Sequence, residues 1–416
     1  GPTEQRPRRV NAHWGGVLDD NAVGTHEFLD LCEQLECEPY IAANVGSGSP
    51  REMREWVEYV NAAAGTLADE RAANGRKEPW KVTLWGVGNE NWGCGGHMRP
   101  DYYADEYRRY ATYVQDHPDA TVQRMACGPN EDDYNWTEVM MRQCAAPLYG
   151  FQPMDGLSLH YYTLPGGWDN KAPARPFDQA GWNEVMALGW RMDELVIKHS
   201  AIMDRHDPDK KVALVVDEWG AWYREEKGTH PRFLFQQQTV RDAVLAAINL
   251  NIFIDHCERL RFANLAQVVN VLQAIALTEP AGGRLVLTPT WDVFALYAVH
   301  QEAMRLPITI ETAQLAHVEK SFPQVSATAS LAENGQINVT LANTDSVHEV
   351  EISMALQGAT SKTVQARVIA SPELTACNTF DQPRTITTTD LAGVTLSGDQ
   401  VTLTLSAASV VSLNLS

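Results

Sequence analysis

Between about residue 39 and residue 300 the sequence alternates short apolar runs with longer stretches of helical periodicity, and this alternation limits the fold more than any other feature. Strand, helix, strand, helix implies a parallel sheet with right-handed crossovers, because each helix returns the chain to the start of the next strand. The runs that read as strands are 39–45, 82–88, 123–128, 156–161, 212–216 and 261–265. Between them, 50–64 places Met53, Trp56, Val57 and Val60 on one helical face, and 100–115 does the same with Tyr103, Tyr107, Tyr110 and Val114. The longest helical patterns are 183–204 and 233–257. Six strands are two fewer than a closed (β/α)8 barrel contains.

The texture changes after about residue 306. Alternating runs at 336–342, 362–369 and 400–405 are separated by Asn-Gly, Asp-Ser and Ser-Gly-Asp turn signals, which predicts an all-β sandwich of roughly one hundred residues. The expected division is a catalytic (β/α) barrel over 1–305, incomplete at its N-terminal side, and a C-terminal β-sandwich over 306–416. The sandwich has no row of aromatics for sugar binding, so a structural role is expected. A chain of 416 residues is long enough for both parts.

Two strand ends carry the chemistry. The run Trp85-Gly86-Val87-Gly88-Asn89-Glu90 and the run Val215-Val216-Asp217-Glu218-Trp219 each start apolar and stop on a glutamate. Two carboxylates delivered this way from distant strands are the equipment for cutting a glycosidic bond with retention. Glycines at 86, 88, 93, 95 and 96 let the backbone around Glu90 turn tightly. Trp85 and Trp92 are expected to supply apolar walls that raise the Glu90 carboxyl, as a general acid requires. Asn89 offers an amide beside it. Asp217 and Glu218 point to opposite sides of their strand, so only one of them faces the barrel mouth. His160 and Tyr162 share one face of 156–161 and its continuation; they either pack in the core or serve the site, where a tyrosine hydroxyl can hold a carboxylate oxygen. Trp219 is read as a further sugar contact. Gln267 and Asn264, near the end of the last strand, and Trp14, Asn44 and Trp92 are candidate lining residues.

A net charge of −20 disfavours a nucleic-acid or anionic-membrane partner, and a neutral sugar feels no penalty from it. No apolar run reaches the length of a membrane span. The seven cysteines (32, 37, 94, 127, 144, 257 and 377) show no zinc spacing and read as buried thiols in a reducing compartment. With no secretion signal at the start of the sequence, the expected location is the cytoplasm. No metal and no organic cofactor is expected.

The segments 4–28 (EQRPRRVNAHWGGVLDDNAVGTHEF), 85–96 (WGVGNENWGCGG), 157–162 (LSLHYY), 217–223 (DEWGAWY) and 263–271 (ANLAQVVNV) resemble glycoside hydrolase family 51, the α-L-arabinofuranosidases, in family order and spacing. The resemblance implies a (β/α)8 TIM-type barrel followed by a jelly-roll-like β domain. It also implies retaining exo-hydrolysis of terminal α-L-arabinofuranosyl residues from arabinoxylan, arabinan or their oligosaccharides, with Glu90 as acid/base and Glu218 as nucleophile. Asn89 and Tyr162 are implied as substrate or nucleophile contacts and Gln267 as a sugar-binding side chain. The alternatives are an endo-β-1,4-glucanase or xylanase of the same family, or a non-catalytic carbohydrate-binding remnant. The family also carries an N-terminal section with the first two barrel strands, which this sequence lacks, so a separate N-terminal fragment that completes the barrel is one expectation and a homo-oligomer another.

Overall fold

The computed structural model describes residues 1–416 except Gln152, Ala281, Glu319 and Thr360. Six strands, β1 (Tyr40–Ala43), β2 (Leu84–Val87), β3 (Gln123–Ala126), β4 (Gly156–Thr163), β5 (Ala213–Ala221) and β6 (Leu260–Leu265), form one sheet in sequence order. The pairs β1–β2, β2–β3 and β3–β4 are parallel. With helices between the strands, this is the curled wall of a TIM-type barrel, and each predicted strand is present within a few residues. The chain forms two compact units, 1–160 with 198–215 and 161–197 with 216–416, and β4 and β5 contribute residues to both.

In the first unit, helix α1 covers Thr25–Leu35, α2 Pro50–Asn61, α3 Thr66–Ala73, α4 Pro100–Ala111 and α5 Tyr134–Cys144. Helix α2 starts where its sequence says it should. Pro50 occupies the first turn and the Ser49 hydroxyl accepts from the Glu52 amide at 3.3 Å. Its face of Met53, Val57 and Val60 is buried. Helix α4 buries three tyrosines because each hydroxyl finds a backbone carbonyl: Tyr103 on Val87, Tyr107 on Pro153 at 2.6 Å and Tyr110 on Gly48 at 2.7 Å. Left unmatched, each buried hydroxyl would cost about 1–3 kcal/mol. The acidic run 131–133, which reads as a solvated loop, also starts a helix: Asp133 caps α5 by accepting from the Trp136 amide at 3.0 Å.

Helix α6 covers Gln179–His206, and in the second unit α7 (Val240–Asp255) is buried along almost its whole length. It starts later than the predicted 233, because Thr239 and Asp242 close a capping box at its first turn. The C-terminal all-β domain has a six-stranded sheet in which Val325–Leu331, Ile337–Asn343, Ser409–Leu415 and Val364–Ile369 are the long neighbours, and a smaller sheet of Val350–Ala355, Gln400–Leu405 and Thr395–Ser397. Residues 400–405 alternate exposed and buried, as a strand with one core face must. Val325, Leu341, Leu403, Val411 and Leu413 are among the residues that form the shared core. Helix α7 meets this domain through matched polar groups. The Asn251 amide donates to Ser326 at 2.9 Å and accepts from Tyr297 at 2.8 Å, and Thr328 donates to Asp255 at 2.7 Å. Among the described residues, no helix is long and apolar enough to cross a membrane. All seven cysteines are free thiols; Cys32, Cys127, Cys144 and Cys377 are buried as expected, whereas Cys37, Cys94 and Cys257 are exposed.

Candidate active site

Strand β2 is buried up to Val87, and a compact loop then turns the chain outward. The loop is built from positions that exclude side chains. A Cβ on Gly88 would meet Asn91 Oδ1 at 2.1 Å, and one on Gly95 would meet the Asn89 carbonyl at 1.9 Å. Glu90 itself has φ +46°, a left-handed conformation that is unfavourable for a residue with a side chain. The amides of Gly93 and Gly95 converge on the Glu90 carbonyl at 2.8 and 2.9 Å and hold it there. Asn91, fully buried, closes the loop by donating to the Gly95 carbonyl at 2.8 Å. Asn89 is exposed beside the glutamate.

Both oxygens of the Glu90 carboxylate have partners. Oε1 lies 3.0 Å from His160 Nδ1, and Oε2 accepts from the Cys94 thiol at 3.2 Å. Burial pushes the carboxyl up, but the hydrogen bond and charge of His160, with the Cys94 bond, outweigh it and hold the group below its ordinary value. This corrects the expectation of a raised carboxyl between two indoles. Trp85 is wholly buried, donates to the Val82 carbonyl at 3.1 Å and packs edge-on against Trp56. Trp92 donates to the Gly128 carbonyl at 3.1 Å and meets the His160 ring edge-on, so it braces the histidine. Sequence reasoning missed Cys94, whose thiol reaches Glu90 only because the loop doubles back over four residues.

On β5 the run 212–216 is buried, and Asp217 and Glu218 are its two half-buried members. The Tyr162 hydroxyl donates a short hydrogen bond to Glu218 Oε1. Trp219 does not take the place expected of a sugar contact. It is 1% exposed and packs on Phe253 and Phe294, because the residue after Glu218 must face the opposite side of the strand. Trp222, three residues further on, is the indole beside the tyrosine, with ring centroids 4.9 Å apart. Gln267 is exposed just after β6, and its backbone N–H donates to the Val271 carbonyl at 3.1 Å.

Asn44, just after β1, and Trp14 are the remaining expected lining residues. Asn44 is exposed and closes a turn, donating to the Ser47 hydroxyl at 2.7 Å and accepting from the Ser47 amide at 3.0 Å. Trp14 lies 40% exposed in a short 3-10 turn between two strands of a hairpin.

The sequence and the fold of this chain match those of known proteins. Residues 1–174 match the α-L-arabinofuranosidase 1 domain and residues 217–409 the α-L-arabinofuranosidase C-terminal domain. An intracellular exo-α-L-arabinofuranosidase of Bacteroides ovatus is 42% identical over 417 residues, covering 100% of this chain and 80% of that protein. The crystal structure of the family 51 arabinofuranosidase from Xanthomonas axonopodis pv. citri superposes with a TM-score of 0.96 at 46% identity, covering 100% of this chain and 83% of that one. The arabinose complex of the Thermotoga maritima α-L-arabinofuranosidase gives a TM-score of 0.82 at 25% identity with the same coverage. The chain therefore belongs to glycoside hydrolase family 51, the α-L-arabinofuranosidases.

Proposed function

We propose that this protein releases terminal α-L-arabinofuranosyl residues from arabinose-containing polysaccharides or oligosaccharides with retention of configuration, using Glu218 as nucleophile and Glu90 as acid/base. The observation that carries this reading is the use of one strand to hold both carboxylates. His160 pairs with Glu90 and Tyr162 with Glu218, and these two residues are neighbours on the same face of β4. Strand pleating alone brings the two partners side by side.

The chemistry follows from what each carboxylate touches. The Tyr162 hydroxyl donates to Oε1 of Glu218 and holds the carboxylate that attacks the anomeric carbon. As the bond from that carbon to the glycosidic oxygen breaks, Glu90 gives its proton to the leaving oxygen and becomes the carboxylate that His160 and Cys94 already stabilise. The product is an arabinosyl ester of Glu218. Glu90 then removes a proton from water, the water oxygen attacks the same carbon, and Glu218 leaves. A pair working in this way needs its carboxyl groups about 5–5.5 Å apart.

Exo action is favoured over endo action because the Bacteroides ovatus relative is named as an exo enzyme. Its name also supports a cytoplasmic setting. Residues 1–305 are taken as the catalytic part and 306–416 as a structural β domain, and the family resemblance points to a homo-oligomer. Asn89 and Gln267, exposed beside the two carboxylate-bearing segments, are the proposed sugar contacts. Assay of the purified chain on p-nitrophenyl α-L-arabinofuranoside tests the activity. Turnover that Glu218→Ala abolishes supports the reading, and a folded chain without turnover contradicts it.

A further inference from the structure

We propose that Trp168 and Lys171 form a stacking subsite for the glycan that carries the arabinosyl group, on the side of the scissile bond away from the released sugar. This inference rests on Glu218 being the nucleophile of an arabinofuranosidase.

Exposure rises step by step away from Glu218. Tyr162, which donates to the carboxylate, is 7% exposed. Trp222 meets it edge-on and is half-buried, and Trp168 meets Trp222 edge-on at 5.0 Å and is 54% exposed. The enclosed end of such a series suits the single sugar that is cut off. The open end reaches solvent, where the rest of a polysaccharide has to lie.

The open end is also built to stay in place. Trp168 sits on a strap, 164–172, that follows β4. The strap is closed on itself by the Gly167 amide on the Leu164 carbonyl at 3.1 Å and the Ala172 amide on the Pro165 carbonyl at 2.9 Å. It is tied to the end of β5 by the Trp222 amide on the Thr163 carbonyl and the Arg224 amide on the Ala172 carbonyl, both at 2.9 Å. Gly166, at φ +79°, leaves no room for a side chain: a Cβ there would meet the Asn170 carbonyl at 2.1 Å. Lys171 Nζ lies 5.7 Å from the Trp168 ring centroid and 5.6 Å from that of Trp222, bridging the two indoles.

A large aromatic surface left in water on a fixed strap suits a ligand with a flat apolar face. Pyranose rings have one, made of their axial C–H groups. The Lys171 ammonium adds a donor for ring hydroxyls at the edge of that surface. The ligand class is therefore a pyranose backbone, such as the xylose chain of arabinoxylan, and its recognition determines how well polymer-derived substrates compete with short glycosides.

The test compares the intact wild-type chain with Trp168→Ala and Trp168→Phe on arabinosylated xylotriose and on methyl α-L-arabinofuranoside, whose aglycone is too small to reach the strap. The ratio of kcat/KM for the oligosaccharide to that for the methyl glycoside should fall by roughly tenfold in Trp168→Ala, mainly through KM, and recover in Trp168→Phe. A ratio within twofold of wild type in the alanine variant overturns the proposal. Calorimetric titration with xylotriose reads the same subsite without turnover: it should bind the wild type and lose that binding in Trp168→Ala, and equal binding to both, or to neither, overturns the inference. Failure of the wild type to hydrolyse either substrate would instead overturn the parent assignment, while the xylotriose titration would still decide the subsite.

Discussion

At the scale of single residues, Glu218, Tyr162 and Cys94 carry separate tasks in the proposed reaction. Glu218→Ala should lower kcat by on the order of 10⁴ or more, with azide restoring turnover and giving the opposite anomer. Tyr162→Phe removes a hydrogen bond to a charged oxygen and should cost roughly 10- to 100-fold in kcat/KM. Cys94 supplies a test by pH. In the proposed mechanism Glu90 starts protonated, so the basic limb of the kcat/KM profile follows its titration. The Cys94 bond helps hold the Glu90 carboxyl down. Cys94→Ala should therefore move the basic limb to higher pH, whereas Cys94→Ser, which keeps a donor, should move it less. Stability has the corresponding sign: because the folded carboxyl is depressed, its contribution is present above the ordinary carboxyl value and is lost as pH falls through the lowered one.

These residues differ in how plainly the sequence shows them. Glu90 and Glu218 stand out because each ends an apolar run, and no core has room for a carboxylate there without a use for it. Cys94, Trp168 and Lys171 do not, because their roles depend on the path a loop takes in space. Trp219 misleads for the opposite reason. Its place next to Glu218 suggests the site, but strand alternation turns it into the core.

At the scale of elements, hydrophobic periodicity places strands reliably, and their ends depend on local bonds that periodicity does not report. Strand β5 runs on to Ala221, well past the apolar run, because Gln273 substitutes for a ladder partner: its Oε1 accepts from the Ala221 amide at 2.8 Å. Helix α1, Thr25–Leu35, carries only Leu29 and Cys32 as buried residues, too narrow a stripe to be read from sequence. The capping box of α7 should be worth about 1 kcal/mol, so Thr239→Ala should lower the unfolding free energy by that amount, read as a lower urea midpoint at unchanged slope. The loop after β2 is less tolerant. In Gly95→Ala the new methyl would meet the Asn89 carbonyl, and turnover should fall sharply while the far-ultraviolet circular dichroism stays near wild type.

At the scale of the whole molecule, the order of elements was legible from residue 39 to the C-terminus, because barrel helices and sandwich strands have different hydrophobic periods. The pairing that joins the carboxylates to β4 was legible only in part. Sequence parity places His160 and Tyr162 on one face, and only the folded chain shows which glutamate each of them meets. The central claim is that these two glutamates perform a double displacement, and the configuration of the product tests it most directly. With methanol present during hydrolysis of p-nitrophenyl α-L-arabinofuranoside, proton NMR should show methyl α-L-arabinofuranoside as the transfer product. Formation of the β-anomer, or the absence of any transfer product while arabinose accumulates with inverted configuration, would contradict the account.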